Sequence, residues 1–132
     1  MRYLLDTDTW IFLLKGASEV EERYLNAGID TVAISVITRV ELTFGAYRSG
    51  RVESNLERVT TFCGSLAVLP LSAEVADAFG RLKAGLVRSG EPLEDFDILI
   101  AATALAYNLT LVTGNEAHFE RVSGLRCQNW IQ

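Results

Sequence analysis

Short apolar runs alternate with longer segments of helical periodicity along the whole chain. The apolar runs predict strands at residues 2–5, 31–35, 66–70 and 109–113, with a short closing strand at 125–129. The segments between them predict helices at residues 9–15, 19–27, 36–50, 52–62, from 73 onward and at 97–108. Apolar strands joined by helical crossovers are typical of parallel sheets covered on both faces. The pattern therefore predicts an α/β fold, a three-layer α/β/α sandwich around a mostly parallel sheet of four to five strands.

Two of the predicted helices carry apolar residues at the spacing of one buried face. In the long helix capped by Ser72 that face is Val75, Phe79, Leu82 and Leu86. In the helix within residues 36–50 it is Val36, Ile37, Val40 and Phe44. The helix at 97–108 is apolar on nearly all sides after its first acid, which predicts a fully buried helix.

Length and composition narrow the class of protein. A chain of 132 residues that is 49% hydrophobic is expected to form one domain, spanning residues 1–132. It has no apolar run near the ~18 residues that span a bilayer, and no signal-peptide pattern at its start. Cys63 and Cys127 lie outside any CxxC pattern, and His118 is the one histidine. These features predict a cytoplasmic protein and argue against a disulfide scaffold, a zinc site or a His-rich metal site.

Acids and an amide follow the predicted strands at a single edge of the sheet. Asp6 and Asp8 follow the first strand, Glu41 lies about two turns after the second, Asp97 opens the buried helix, and Asn115 follows the fourth strand. In open parallel sheets, ligands bind at the edge that is formed by the carboxyl ends of the strands. Converging carboxylates repel each other, and a bound cation relieves the repulsion. Oxygen ligands without His or Cys favour Mg²⁺, with Mn²⁺ as the alternative.

The same side chains also suit the starts of helices. Three of them are preferred N-cap residues: Asp8, Asp97 and Asn115. Thr38 and Glu41 have the spacing of a capping box. Asp6 fits this alternative least, because it lies early for a cap and Asp8 would already suffice. Glu41 has apolar neighbours on both sides, which is unusual for a solvated helix start.

A carboxylate-bound divalent ion indicates a reaction class. Such an ion lowers the pKa of a bound water, polarises a phosphoryl oxygen and stabilises the leaving oxygen. The net charge of −5 argues against broad nonspecific duplex binding, but a cation reverses the local sign of an acidic pocket. Without a nucleophilic Cys or a Ser–His pair near the acids, metal-activated water is the simplest nucleophile. A phosphate ester is then the best-suited substrate.

A second enzyme class also fits the first strand end. Asp6-Thr7-Asp8-Thr9 fits the first four positions of DxDxT, the signature of haloacid-dehalogenase-type phosphatases, in which the first Asp is the nucleophile. That mechanism needs a later lysine and a late acidic pair, for which Asp95 and Asp97 would serve. The chain has only Lys15 and Lys83, and Lys83 falls in the middle of a predicted helix.

Three stretches together resemble a known family: LLDTDTW, ISVITRVELTFGA and GEPLEDFDILIAATALAYNLTLVTGNEAHFERVSGL. The chain resembles PIN-domain ribonucleases, in particular VapC-type toxins of type II toxin–antitoxin systems. The resemblance implies an α/β/α sandwich and Mg²⁺-dependent cleavage of RNA, either tRNA or another structured RNA. It assigns the catalytic positions to Asp6, Glu41, Asp97 and Asn115, with Asp6 and Asp97 as the main metal ligands and Glu41 completing the pocket.

The chain departs from the family pattern at three positions. Asp8 stands where the family usually has Asn, which adds a charge that tunes the metal or caps the first helix. Asn115 places an amide at the fourth position, where it is expected to act through coordinated water. His118 stands where relatives often carry Asp or Glu, and a surface role is favoured for it, as it is for nearby Glu116.

The resemblance also implies partners: an RNA substrate, a cognate antitoxin and a second copy in a homodimer. Candidate phosphate contacts are Arg39, Arg48, Arg51, Arg58, Arg81 and Arg88. Trp10, Phe12 and Tyr24 are candidates for an apolar groove that takes an antitoxin segment, with core packing as the alternative. The remaining hypothesis is a PIN-like domain that binds RNA or a partner without cleaving it.

Overall fold

Five parallel strands form the central sheet. The computed structural model describes residues 1–131. The strands are β1 Tyr3–Leu5, β2 Val32–Ser35, β3 Ala67–Leu69, β4 Thr110–Val112 and β5 Cys127–Gln128. Their order is β3-β2-β1-β4-β5, and every neighbouring pair is parallel. Each predicted strand is present, with bounds shifted by one or two residues, and the predicted α/β sandwich is confirmed.

Seven helices of residues 1–131 flank the sheet, and a single 3-10 turn, Ile29–Thr31, precedes β2. They are α1 Thr7–Leu14, α2 Ser18–Ala27, α3 Val36–Arg48, α4 Val52–Gly64, α5 Ala73–Ser89, α6 Asp95–Ala106 and α7 Glu116–Phe119. Ser72 caps α5 as predicted, because its hydroxyl accepts a 3.3 Å hydrogen bond from the Val75 backbone N–H. The predicted inward residues of α5 are all buried or partly buried against the core.

Alternate strand residues face opposite layers of helices. Leu4, Ala33 and Leu111 pack with α6, α7 and the start of α3 on one face. Leu5, Ile34 and Val112 pack with α1, α2 and α4 on the other. This alternation follows from the two-residue period of a strand. Because both faces are covered, the strands can be apolar throughout, as the sequence pattern indicated.

The predicted buried face of α3 is wrong at two positions. Val40 and Phe44 are 46% and 61% exposed, whereas Thr38 and Ala46 are buried. The small Thr38 and Ala46 side chains turn inward because α3 packs closely against α4 and contacts α6. Phe44 instead lies outside, with the Arg48 guanidinium 5.6 Å from its ring centroid.

The strand order fixes where the polar loops meet. The chain builds β1, β2 and β3 toward one edge, then crosses over to add β4 and β5 beside β1. The order in which strands are added therefore reverses between β1 and β4. In parallel sheets, ligands bind at the carboxyl ends of the strands at such a point. The loops after β1 and β4 meet there, and the Asp6 backbone N–H donates a 2.9 Å bond to the Val112 carbonyl. In residues 1–131, every helix is too short or too polar to cross a bilayer.

Candidate active site

Asp6 lies where β1 ends and α1 begins. Its carboxylate accepts a 2.9 Å hydrogen bond from the Thr9 backbone N–H, so Asp6 is the N-cap of α1. Asp8, which was predicted to be the cap, is an exposed residue in the first turn instead. The difference arises because α1 starts directly after the strand, two residues before the predicted start. Asp6 therefore combines a structural role with its position at the sheet edge.

Glu41 points from α3 to the first turn of α1. Its Oε1 accepts a 2.6 Å hydrogen bond from the Thr7 hydroxyl. The capping-box alternative does not hold, because Ser35 caps α3 through a 3.0 Å bond from the Ile37 N–H. Glu41 is therefore well beyond the first turn. Its carboxylate is held by a side chain from another helix and has no capping role.

Asp97 projects from the first turn of α6. The helix begins at Asp95 with Glu94 at the N-cap position, so Asp97 is not the cap that was predicted. Its Oδ2 lies 3.1 Å from Nε2 of His118. His118 was expected to be a surface residue, but it is partly buried and contacts a predicted catalytic acid. The signal that could have predicted this contact was the position of His118 in the family pattern. Relatives often carry an acid there, which indicates a place beside the other acids.

Asn115 follows β4 and occupies the N-cap position of α7, without making a side-chain capping bond. Its backbone N–H donates a 3.1 Å bond to the hydroxyl of buried Thr113. The Asp6 backbone N–H donates to the carbonyl of Val112, the residue before Thr113. The loop after β4 is thus attached to the loop after β1. The exposed Asn115 side chain is free to face solvent or a ligand at this edge.

The pocket carries negative charge that nearby cations do not neutralise. Burial raises the pKa of Asp6, opposed by hydrogen bonds from Thr113 and Thr9. Burial also raises the pKa of Glu41, opposed by the Thr7 bond and reinforced by the charges of Asp97, Asp8 and Asp6. Within residues 1–131, the salt bridges involve neither Asp6 nor Glu41. The charges of Asp97, Asp8 and Asp6 therefore all act on Glu41.

The donor set fits a hard divalent cation bound with water. In residues 1–131, no three His, Cys, Asp or Glu side chains are close enough to enclose an ion by themselves. Mg²⁺ does not need such a cage, because it usually takes one or two carboxylates and keeps several waters. Carboxylates are its preferred protein ligands. Asp6 and Asp97 would hold the ion, and their charge, together with that of Glu41, would be offset by it.

Comparison with known proteins identifies the family. The sequence model of the PIN-domain family matches residues 3–125. The chain belongs to the PIN-domain family. The tRNA(fMet)-specific endonuclease VapC of Shigella flexneri is 39% identical, over 98% of each chain. Ribonuclease VapC2 of Haemophilus influenzae is 36% identical over 99% of each.

Solved structures agree with this assignment. DNA-bound VapBC from Salmonella typhimurium has a TM-score of 0.91 and 37% identity to the chain, covering 98% of both. VapBC2 from Rickettsia felis, bound to a promoter DNA fragment, has a TM-score of 0.88 at 31% identity, covering 98% of this chain and 99% of that one. This PIN domain is therefore of the VapC type, a nuclease group of toxin–antitoxin systems, as the sequence resemblance predicted.

The phosphatase alternative is not favoured for this PIN domain. Its required lysine is missing from the sheet edge. Lys83 Nζ instead donates a 2.8 Å bond to Asp95 Oδ1 on the surface between α5 and α6. That ion pair also uses one of the acids that the phosphatase mechanism needed. Lys15 follows the far end of α1 from Asp6.

An apolar groove of about 420 Å³ lies between α1, α3 and α4 of the PIN domain and reaches Glu41. Its apolar walls include Ile11, Leu14, Leu42, Val59 and Phe62. The residues that the sequence offered for a groove, Trp10, Phe12 and Tyr24, do not line this one. Trp10 is fully buried, with its ring 5.1 Å from Phe62 and 5.9 Å from Tyr24, both edge to face. Phe12 is exposed but does not line the groove.

Proposed function

We propose that this PIN domain is a Mg²⁺-dependent endoribonuclease and the toxin of a toxin–antitoxin pair. The observation that carries the proposal is the electrostatic coupling at Glu41. Its pKa is raised by burial and by the charges of acids that follow β1 and open α6. Partly buried acids at the starts of α1 and α6 and on α3, with neither Asp6 nor Glu41 in a salt bridge within residues 1–131, suit a divalent metal better than a purely structural role.

Each residue of the proposed site has a distinct task. Asp6 and Asp97 hold the ion, and Glu41 completes the acidic pocket by ligating the ion or orienting the attacking water. Asn115 orients water through its amide. When bound, Mg²⁺ supplies charge that activates water and stabilises the scissile phosphate. Thr7 and Thr113 keep Glu41 and Asp6 in place through their hydroxyls.

We propose tRNA as the substrate class, cut in a single-stranded loop. Two relatives, from Shigella flexneri and Salmonella typhimurium, are named tRNA(fMet)-specific endonucleases and match at 39% and 37% identity. A loop suits an acidic pocket at a sheet edge because its backbone can leave the stacked helix. Attack by water in line would leave a 5′-phosphate on the product. Mn²⁺ is expected to substitute for Mg²⁺.

The partner proposed for the groove is the cognate antitoxin. Solved VapBC complexes resemble the chain over 98–100% of its length. The groove is mainly apolar, and Lys15, Glu41 and Arg58 also line it. An antitoxin helix or extended tail would lie on the apolar walls and bring a basic side chain to Glu41 and its neighbours. A single domain over residues 1–132, a cytoplasmic location and a homodimer remain predictions.

Metal-dependent RNA cleavage is the deciding experiment. Purified protein is incubated with total tRNA in EDTA, in Mg²⁺ and in Mn²⁺, and the products are mapped by end labelling. We expect cleavage in either metal, none in EDTA, and 5′-phosphate ends. Asp6→Asn and Asp97→Asn should reduce cleavage to background while the circular dichroism spectrum is unchanged.

The matched control is Asp77→Asn, since Asp77 is an exposed acid of α5 paired only with exposed Arg81. Its cleavage should equal that of the unsubstituted protein. Binding of tRNA without cleavage in any metal would instead support the non-catalytic hypothesis. Loss of the folded spectrum in the Asp6 and Asp97 variants would show that these acids are structural.

A further inference from the structure

His118 contacts Asp97 in a geometry set by its neighbours. Its Nε2 lies 3.1 Å from Asp97 Oδ2, across 21 residues of sequence and between α7 and α6. The His118 ring meets the ring of Phe119 edge to face, at 5.4 Å and 88°. Phe119 is buried in the core below β4. The imidazole is therefore held against a fixed aromatic side chain.

The backbone of His118 is attached to the same strand-end loop as Asn115. The His118 N–H donates a 3.1 Å bond to the Asn115 carbonyl. The Asn115 N–H donates to the Thr113 hydroxyl, and the Asp6 N–H donates to the carbonyl of Val112, the residue before Thr113. A continuous series of contacts thus runs from Asp6 through the loop after β4 to His118 and Asp97. The two acids proposed to hold the metal are its ends.

We propose that His118 is a positioning residue that fixes the orientation of the Asp97 carboxylate for metal binding. An ionised carboxylate only accepts hydrogen bonds, so the Nε2–H of His118 is the donor. The torsion of a free carboxylate is broad, and the bond to Oδ2 restricts it and leaves Oδ1 available. The inference rests on the proposed metal-dependent function. Partners of this kind, which hold a metal ligand in place, commonly change metal affinity or activity by 10–100-fold.

The contact itself is testable without metal, because His118 is the one histidine of the chain. A long-range ¹H–¹⁵N spectrum of the metal-free protein therefore contains a single set of imidazole signals. We expect a protonated Nε2 whose signal shifts in Asp97→Ala and stays in place in Glu120→Gln, a change at an exposed acid nearby. An unchanged Nε2 signal in Asp97→Ala would overturn the contact and the proposal.

The functional arm measures Mn²⁺ binding by calorimetry beside tRNA cleavage. His118→Ala should weaken Mn²⁺ binding by about 10–100-fold and lower kcat while KM for RNA changes little. His118→Gln, which keeps a neutral N–H donor of similar reach, should recover most of both. The Glu120→Gln protein should bind and cleave like the unsubstituted protein.

Two results would overturn the positioning role. One is equal Mn²⁺ affinity and kcat in His118→Ala and the unsubstituted protein. The other is a His118→Gln protein as impaired as His118→Ala, which would show that the ring fills space and its hydrogen bond is unimportant. An unsubstituted protein with the expected imidazole signals that binds no Mn²⁺ would instead overturn the proposed metal-dependent function, and the positioning role with it.

Discussion

The hydroxyl of Thr7 donates a 2.6 Å hydrogen bond to Glu41 and lies 3.0 Å from the hydroxyl of Thr38. Because Thr7 gives its only proton to the carboxylate, the buried Thr38 hydroxyl donates to Thr7. This short relay joins the first turn of α1 to the inner side of α3. It fixes Glu41 beside the strand end that carries Asp6.

Thr7→Val should shift the acidic side of the pH–rate profile to higher pH. The Thr7 bond lowers the pKa of Glu41 against the effect of burial, so its loss raises that pKa further. Folding stability should also fall by about 1–3 kcal/mol, because the variant loses both hydrogen bonds of Thr7 and leaves the buried Thr38 hydroxyl without this partner. Thr7→Ser keeps the donor and is the control. Identical pH–rate profiles for Thr7→Val and Thr7→Ser would contradict this role of Thr7.

Asp6→Asn should stabilise the metal-free protein increasingly as the pH rises. Because burial raises the pKa of Asp6 above 3.8, folding favours the protonated acid. The contribution of the protonated Asp6 to folding stability is fully present below that value. It is lost as the pH rises through the folded-state pKa. Asn is an equally good N-cap, so the Thr9 bond is retained.

Urea unfolding in EDTA, between about pH 4 and pH 7, measures this difference. The free energy of unfolding of Asp6→Asn, relative to that of the unsubstituted protein, should increase across that range. Added Mg²⁺ should stabilise only the unsubstituted protein, which reverses the order. A stability difference that does not depend on pH would mean that Asp6 is not desolvated in the folded chain.

The sheet and the side on which its polar loops meet could be predicted from sequence because their signals are local. Apolar runs of β2 and β4 show buried parallel strands, and the rule for strand ends then places Asp6 and the start of α3, which carries Glu41, at one side of the sheet. The inward face of α3 was harder. Periodicity finds an apolar stripe, but a close neighbouring helix selected the smaller Thr38 and Ala46 for burial.

Contacts between distant side chains could not be predicted in the same way. The pairing of His118 with Asp97 depends on how α7 packs beside α6, which no local pattern encodes. The choice of Asp6 over Asp8 as the cap depends on a two-residue shift in the start of α1. Such boundaries are the least certain part of any assignment from sequence.

Gly114→Ala should disturb the loop that carries Asn115. A Cβ at Gly114 would lie 2.7 Å from Cδ1 of Ile131, closer than two carbons approach without movement. Ile131 is partly exposed and Cδ1 is the end of its side chain, so we expect a loss of about 1 kcal/mol, at the low end for overpacking. Thermal or urea unfolding measures it.

The second substitution Ile131→Val removes the clashing Cδ1 and should restore the stability of Gly114→Ala. Ile131→Val alone is the control for the lost methyl group, with a cost of about 1 kcal/mol or less at this partly exposed position. Equal losses from Gly114→Ala with either residue at position 131 would show that the clash is not the cause.

Leu14→Gln should weaken antitoxin binding without changing RNA cleavage by the free protein. Leu14 lines the apolar groove, is 45% exposed, and ends α1 on the side away from Asp6. Burial of a leucine by a partner contributes about 1.5–3 kcal/mol, so its loss should weaken binding about tenfold or more. Gln is a good helix former, which keeps α1 intact.

Leu25→Gln is the matched control, because Leu25 is 61% exposed on α2 and lies outside the groove. Calorimetry with the proposed cognate antitoxin measures the affinities. Equal weakening by Leu14→Gln and Leu25→Gln, or by neither, would place the antitoxin on another surface.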